Sequence, residues 1–424
     1  MTPFRTLPKG PITLKNLTVP ACLVGMPGYF YNLDLSIKNG KMTEEPTKTV
    51  IDMKRAMVMP AFIDMHTHLD KGHIWPRKPN PNGTFDGALN AVAEDRSANW
   101  NADDVQRRMD FSLRCAYAHG TKAIRTHLDS IIPQAEISWP VFREMRQEWK
   151  GRIELQAVCL VAVHHTEPDA PFRATADLVA ESGGVLGLVT QPVQDLPDRL
   201  RSFLRMAERR NLPVDFHVDE TLSPSWETLR DIAQAVIDTG FEAPVVVGHC
   251  CSLSTQNVDR AMDTLDLVAK AGINVVSLPM CNLYLQDRRL DQTTPRRRGV
   301  TLVHEMRARG IPVSFASDNT RDPFYAYGDM DMVEVMREAT RVAHLDHNAT
   351  DWMHSFFSYP ALACGFDLPE FGPGAPADLV ICNARNWTEL FSRPQADRIV
   401  MRKGKVIDRT LPDYSELDDL MEPA

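Results

Sequence analysis

Short apolar runs alternate with amphipathic stretches through most of the chain. Eight runs stand out, at 57–65, 122–127, 153–163, 185–190, 214–218, 245–249, 273–278 and 313–317. They are short, often β-branched, and bounded by Gly, Pro, Asn or Asp, which is how parallel strands buried on both faces read. Between them the spacing predicts helices over 103–119, 197–210, 226–239 and 258–271. Gly120, Asn211, Gly240 and Gly272 stand at or just beyond their ends, the expected stop chemistry. Strand–helix alternation of this kind implies a parallel sheet. Eight such strands across about 320 residues suit a closed (β/α)₈ TIM barrel. A doubly wound open sheet would need a Gly-rich phosphate turn, which the chain lacks.

The two ends of the chain read differently. The runs 12–24, 33–39 and 50–57, and later 377–383 and 398–407, look like strands with no helices between them. They predict one small β-unit built from both termini, residues 1–57 and 376–408, beside a catalytic barrel over 58–375. Residues 409–424 are acidic and contain proline, and are expected to form a loose surface tail.

Composition narrows the function. The chain is 43% hydrophobic and 24% charged, an ordinary globular balance, and its net charge of −9 argues against nucleic-acid or anionic-membrane partners. The basic run Arg288-Arg289 with Arg296-Arg297-Arg298 reads as a solvated loop. Eight cysteines show no C-x-x-C spacing, and the adjacent Cys250 and Cys251 cannot bridge without strain, so a reducing compartment is expected. No apolar run reaches the length of a membrane span. A soluble, cytoplasmic protein is expected.

Chemistry gathers where the strands end. The first strand closes on Pro60-Ala-Phe-Ile-Asp-Met-His66-Thr-His68. Side chains alternate along a strand, so His66 and His68 project to one side. The fifth reads Val214-Asp-Phe-His217-Val-Asp-Glu220, the sixth ends in Gly248-His249, and the eighth ends in Ser317-Asp318-Asn319. Four of the thirteen histidines thus lie at strand ends, together with acids, where a barrel keeps its active site. Nitrogen from His66, His68 and His217 with oxygen from Asp318 makes a mononuclear site for a borderline divalent metal, zinc or iron. Glu220 can reach a substrate, and His249 can hold or polarise a water at the open coordination position.

In their order, His-x-His, His-x-x-Glu, Gly-His and Ser-Asp resemble the mononuclear branch of the amidohydrolase superfamily, and within it the cytosine deaminase group. Arg125-Thr-His127-Leu-Asp129, Leu155-Gln156-Ala-Val158, Pro295-Arg-Arg-Arg-Gly299 and Asp322-Pro-Phe324-Tyr325 extend the resemblance over nearly the whole chain. The opening motif and the closing Ala377-Asp-Leu-Val380 match the superfamily's split β-sandwich, which makes the terminal unit a small sandwich. The fourth strand runs Gly187-Leu-Val-Thr190, without the bridging lysine of binuclear relatives, which implies one metal per chain.

The resemblance implies hydrolytic deamination of a small amino-substituted N-heterocycle, cytosine or a related pyrimidine or triazine, with release of ammonia. Metal-bound hydroxide would attack the amino-bearing ring carbon. Glu220 would protonate the neighbouring ring nitrogen, Asp318 would relay the water's proton to the departing amine, and His249 would stabilise the tetrahedral intermediate. Gln156 matches the glutamine that holds the pyrimidine amide edge. Asn319 stands where cytosine deaminases carry a second aspartate, and Phe324 where they carry tryptophan; both are expected to touch the substrate and alter its choice. Ser-Asp-Asn also resembles relatives that remove an alkylamine from a hydroxylated triazine, as in N-isopropylammelide hydrolysis. A cyclic-amide hydrolase of the same fold is the other alternative. A homo-oligomer is expected. His127 either supports the site or packs, Asp70 and Lys71 either line its mouth or form a loop ion pair, and the segment 74–84 with Trp75 suits a lid.

Overall fold

The computed structural model describes residues 4–166, 170–291, 293–347, 351–393 and 397–422. Five strands come first: β1 Ile12–Pro20, β2 Phe30–Lys38, β3 Lys41–Thr43, β4 Val50–Asp52 and β5 Met57–Pro60. Eight more carry the middle of the chain: β6 Phe62–Thr67, β7 Thr121–Asp129, β8 Glu154–Leu160, β9 Leu186–Val189, β10 Val214–Val218, β11 Val245–His249, β12 Asn274–Ser277 and β13 Val313–Phe315. β14 Leu379–Cys382, β15 Arg398–Arg402 and β16 Lys405–Val406 close it.

The middle strands are parallel throughout, β6-β7-β8 in one sheet and β9-β10-β11-β12-β13 in another. Parallel bridges Val158↔Val185 and Ala162↔Val189 join β8 to β9, and Thr67↔Asp318 joins β6 to the residues after β13. Helices stand between successive strands, among them Ala102–His119, Leu196–Glu208, Thr228–Thr239 and Val258–Lys270, within two residues of the predicted spans. Period two sorts each strand's side chains. In β10, Phe216 packs against Phe203 of the helix Leu196–Glu208, with ring centroids 5.3 Å apart, so Asp215 and His217 face the other way.

Both chain ends enter a single eight-stranded sheet, ordered β16-β15-β14-β5-β1-β2-β3 with β4 also on β1. The expected continuous strand over 57–65 is divided: β5 pairs with β14, whereas β6 pairs with β7. Pro60 lies at the break, where its missing N–H costs the ladder least. The run 12–24 is likewise shorter, ending as a strand at Pro20 and continuing as the 3₁₀ turn Ala21–Val24. Gly120 ends the helix Ala102–His119 at φ +103°, and a Cβ there would sit 2.5 Å from Val380 of β14, so only glycine lets helix and sheet approach this closely.

A buried ion pair also ties the terminal sheet to the middle of the chain. Arg398 of β15 donates to both oxygens of Asp331, at 2.7 and 2.5 Å, and to the carbonyl of His119. Burial alone would raise the Asp331 carboxyl, yet Arg398 and His119 hold it far below the usual carboxylate range. Arg398→Met strands that carboxylate, with an expected loss of ~3–5 kcal/mol in urea unfolding at neutral pH. Because the folded pKa is depressed, the pair's contribution is whole above the unfolded carboxylate value of ~3.9 and is lost as pH falls below it. The difference between wild type and variant should therefore shrink in acid; a difference independent of pH would refute the ion-pair account.

The tail is not loose as expected. Tyr414–Leu417 and Asp418–Met421 form short helical turns along the helix Ala102–His119. Arg107 holds Asp419 at 2.6 Å, Arg114 holds Glu416 at 2.7 Å, and Arg77 donates to the carbonyl of Leu420. The acidity that suggested a solvated tail is matched by these arginines. All eight cysteines are free. Among the described residues, no helix is long and apolar enough to cross a membrane.

Candidate active site

Asp64 sets the first half of the site from below. Its carboxylate accepts from Ser317 N at 3.1 Å and Ser317 Oγ at 2.5 Å, while Asp318 N donates to the carbonyl of His66 at 2.9 Å. This stitching brings the chain after β13 against β6. Asp318 Oδ1 then lies 3.2 Å from His68 Nε2 and 3.7 Å from His66 Nε2. From β10, His217 Nε2 comes within 3.4 Å of His68 Nε2. Gly248 makes room beside them, since a Cβ there would meet His66 Cε1 at 3.1 Å.

The donor set fits a divalent cation. Both nitrogens of His66, Nδ1 of His68 and of His217, and both oxygens of Asp318 are buried without a hydrogen-bond partner among the described residues. Such groups are costly to bury unless something binds them. Burial first, and neighbouring charges next, hold His66, His68 and His217 well below the usual histidine range, leaving neutral imidazoles, the ligand form. Other groupings of donors within 4.8 Å of one another are His66 with His217 and His249, His66 with His68 and His127, and Glu220 with Cys281 and Asp318.

The remaining groups close around this cluster. Asp219, at φ +48°, accepts from Thr228 N, Thr228 Oγ1 and Leu229 N, which pins the turn that presents Glu220. Glu220 Oε1 lies 3.4 Å from His249 Nδ1. Burial, and then the Asp318 carboxylate, push the Glu220 carboxyl well above its ordinary value. His249 at φ +69° and Asp318 at φ +65° hold left-handed backbone that side chains disfavour, strain of the sort concentrated at functional sites. Burial takes the His249 imidazole down to about 3.

Asp70 and Lys71 are both buried beside the site. Lys71 Nζ lies 2.8 Å from Asp129 Oδ1, Arg96 holds the other Asp129 oxygen at 2.6 Å, and Asp70 accepts from Asp129 N. The Lys71 ammonium also sits 5.6 Å from the centroid of the Phe324 ring, close enough for its charge to act on Glu220, Asp318 and Asp322. The His127 ring lies tilted at 35° against His66, with centroids 3.9 Å apart. The segment 74–84 is tied down to the loop after β13: Trp75 N donates to Arg321 O, and Asn80 Nδ2 to Pro323 O.

Of the expected substrate contacts, Phe324 is at the site beside Lys71. Asn319 is buried next to Asp318, but its Nδ2 is already given to Asp322 Oδ2 at 2.7 Å and its Oδ1 faces Cys281. Gln156 is elsewhere. It lies early in β8, paired with Arg125, two residues before the Val158–His127 level. Its amide accepts from Arg125 Nε at 2.6 Å, donates to Cys364 O, and lines a cavity of about 960 Å³ at the strands' N-terminal end. Arg125 in turn holds Asp215 at 2.9 Å, whose other oxygen is 3.4 Å from His127. Gln156 thus belongs to a polar column beneath the histidines, not to their open side. Two residues at the site carry no signal in the sequence: Asn282, between Glu220 and His249, and Gln286, which donates to the Glu220 carbonyl.

Fold and site together have the organisation of a metal-dependent hydrolase. The chain belongs to the amidohydrolase family, whose model matches residues 154–408. It is 52% identical over 421 residues to the pterin deaminase of Rhizobium rhizogenes, covering 96% of each chain. Its fold is that of the 5-methylcytosine deaminase of Klebsiella pneumoniae, with a TM-score of 0.79 at 23% identity over 95% of this chain and 98% of that one. N-isopropylammelide isopropylaminohydrolase from Burkholderia multivorans is similar as well, with a TM-score of 0.74 at 22% identity over 94% and 98%.

Proposed function

We propose that the protein is a metal-dependent aminohydrolase that replaces the exocyclic amino group of an N-heterocycle by oxygen, with a 2-amino-4-oxopteridine as the favoured substrate. The likeness to a pterin deaminase at 52% identity supports that substrate over cytosine. The observation that carries the chemistry is the convergence of two carboxyls, Glu220 and Asp318, with four strand-end histidines in one buried cluster. His66, His68, His217 and Asp318 would hold one divalent cation, zinc or iron. When bound, the cation supplies Lewis acidity that brings the pKa of water toward ~7.

This chain's residues do the rest. Asp318 takes a proton from the attacking water as its oxygen bonds to the amino-bearing carbon. Glu220 gives a proton to the adjacent ring nitrogen, which draws electron density from that carbon. Breaking the carbon–nitrogen bond releases ammonia, which carries the proton relayed by Asp318; the hydroxyl proton returns to Glu220 as the ring carbonyl forms. Phe324 and Lys71 border the ring. In this reading residues 58–375 close as a (β/α)₈ barrel, 1–57 with 376–408 form the small β-sandwich, and 409–424 is the tail.

Ammonia release is the test, with pterin, cytosine, 5-methylcytosine and N-isopropylammelide offered to the metal-loaded enzyme. Pterin should give the highest kcat/KM. Isopropylamine from N-isopropylammelide alone would replace this reading by alkylamine hydrolysis, and release from none of them would remove it.

A further inference from the structure

Asn282 lies in the short helix Pro279–Leu285 and is fully buried. Its Nδ2 is 3.0 Å from His249 Nδ1 and 3.4 Å from Glu220 Oε1. One turn on, Gln286 Nε2 donates to the Glu220 carbonyl at 3.1 Å, and Gln286 N to Asn282 O at 2.9 Å. The helix is clamped from outside. Gly299, at φ +75°, packs so closely that a Cβ would stand 2.7 Å from Asn282 O and 2.4 Å from Gln286 Cβ. The segment that follows the arginine run thereby fixes a helix whose inner side touches both Glu220 and His249.

The neighbours decide which way the amide points. With oxygen in the Nδ2 position, the amide could donate neither to His249 Nδ1 nor to Glu220 Oε1. It would also turn both N–H donors toward the place of Oδ1, which has no hydrogen-bond partner among the described residues. With the amide nitrogen facing inward, His249 Nδ1 accepts. The single proton of the neutral ring is then on Nε2. His249 Nε2 is buried, has no partner among the described residues, and belongs to a ring that meets His66 edge-on at 5.5 Å.

We infer that Asn282 is a positioning residue that locks His249 in the Nε2–H tautomer. His249 then faces the reacting atoms as a hydrogen-bond donor and cannot accept a proton there. Resting on the reading above, this assigns oxyanion stabilisation to His249 and leaves proton acceptance to Asp318. It makes Asn282 the link that keeps acid and donor in one geometry.

The tautomer is read directly from ¹⁵N shifts of histidine-labelled, zinc-loaded protein, with His249 assigned by its loss in His249→Gln. The expected spectrum has unprotonated Nδ1 and protonated Nε2; a proton on Nδ1 overturns the inference. Asn282→Asp puts a carboxylate against Nδ1 and should reverse the two resonances. It should also lower kcat by ~10²-fold, as loss of an oxyanion donor does, with KM within about twofold and metal content unchanged. Wild-type kcat in that variant would equally overturn the inference. Should Asn282→Asp not fold, the wild-type spectrum alone decides. If the enzyme releases neither ammonia nor amine from any compound tested, the proposed function fails, and the spectrum still decides Asn282.

Discussion

Glu220→Gln should lower kcat by ~10²–10⁴-fold while the protein keeps its metal and its fold. The amide preserves size and most contacts, including the backbone bond from Gln286 to the carbonyl of residue 220. It removes the exchangeable proton that the ring nitrogen must receive. Because the acid acts as the transition state forms, kcat and kcat/KM should fall together and KM should stay nearly constant. Metal analysis alongside steady-state kinetics checks both halves. Activity within a few-fold of wild type would take Glu220 out of the mechanism; loss of metal in the variant would make it a support of the cation site instead.

Removal of the metal should abolish turnover outright and weaken the fold. Dialysis against a chelator leaves the buried donor atoms of His66, His68, His217 and Asp318, several without a hydrogen-bond partner among the described residues, converging with nothing to bind them. A cation held at about a thousand times its dissociation constant contributes on the order of 4 kcal/mol, roughly 5 °C in Tm for a chain of this size. One equivalent of zinc or iron should restore both quantities. Full activity and an unchanged Tm after chelation would show that the cluster binds no functional metal. His217→Ala should reproduce the chelated state, with metal addition failing to rescue it.

Most of the architecture was legible because it is written in local patterns. Six of the eight middle strands fall within a predicted run, β6 and β7 overlap theirs and extend two residues past its end, and the four predicted helices lie within two residues of their expected spans. Period two places His66 with His68 from the sequence alone. One boundary was misread for a local reason: the run 57–65 is continuous in hydrophobicity, yet its halves serve two different sheets. Hydrophobic pattern reports burial, and both halves are buried.

Gln156 marks the limit of motif matching. The stretch Leu155-Gln156-Ala-Val158 resembles a substrate-binding segment, but its register against β7 sets Gln156 opposite Arg125, below the level of the histidines. Counting from the start of the predicted strand would have placed it early, away from the C-terminal end where barrel sites lie. Asn319 shows a subtler case. It adjoins Asp318 as expected, but Asp322 already takes its amide N–H. Replacing it by aspartate would set two carboxylates in contact, so the position holds a loop together.

The amino-acid sequence by itself determined which chemical groups are available and at which strand ends they stand, since alternation and strand termination depend on neighbours a few residues away. Only the tertiary structure decided how they combine. The 3.2 Å approach of Asp318 to His68 depends on Asp64 gripping Ser317 across 253 residues of chain, and the contact of Asn282 with Glu220 and His249 depends on three separate segments meeting. Such distances follow from register, backbone strain and the packing of remote loops, and none of these leaves a pattern along the chain.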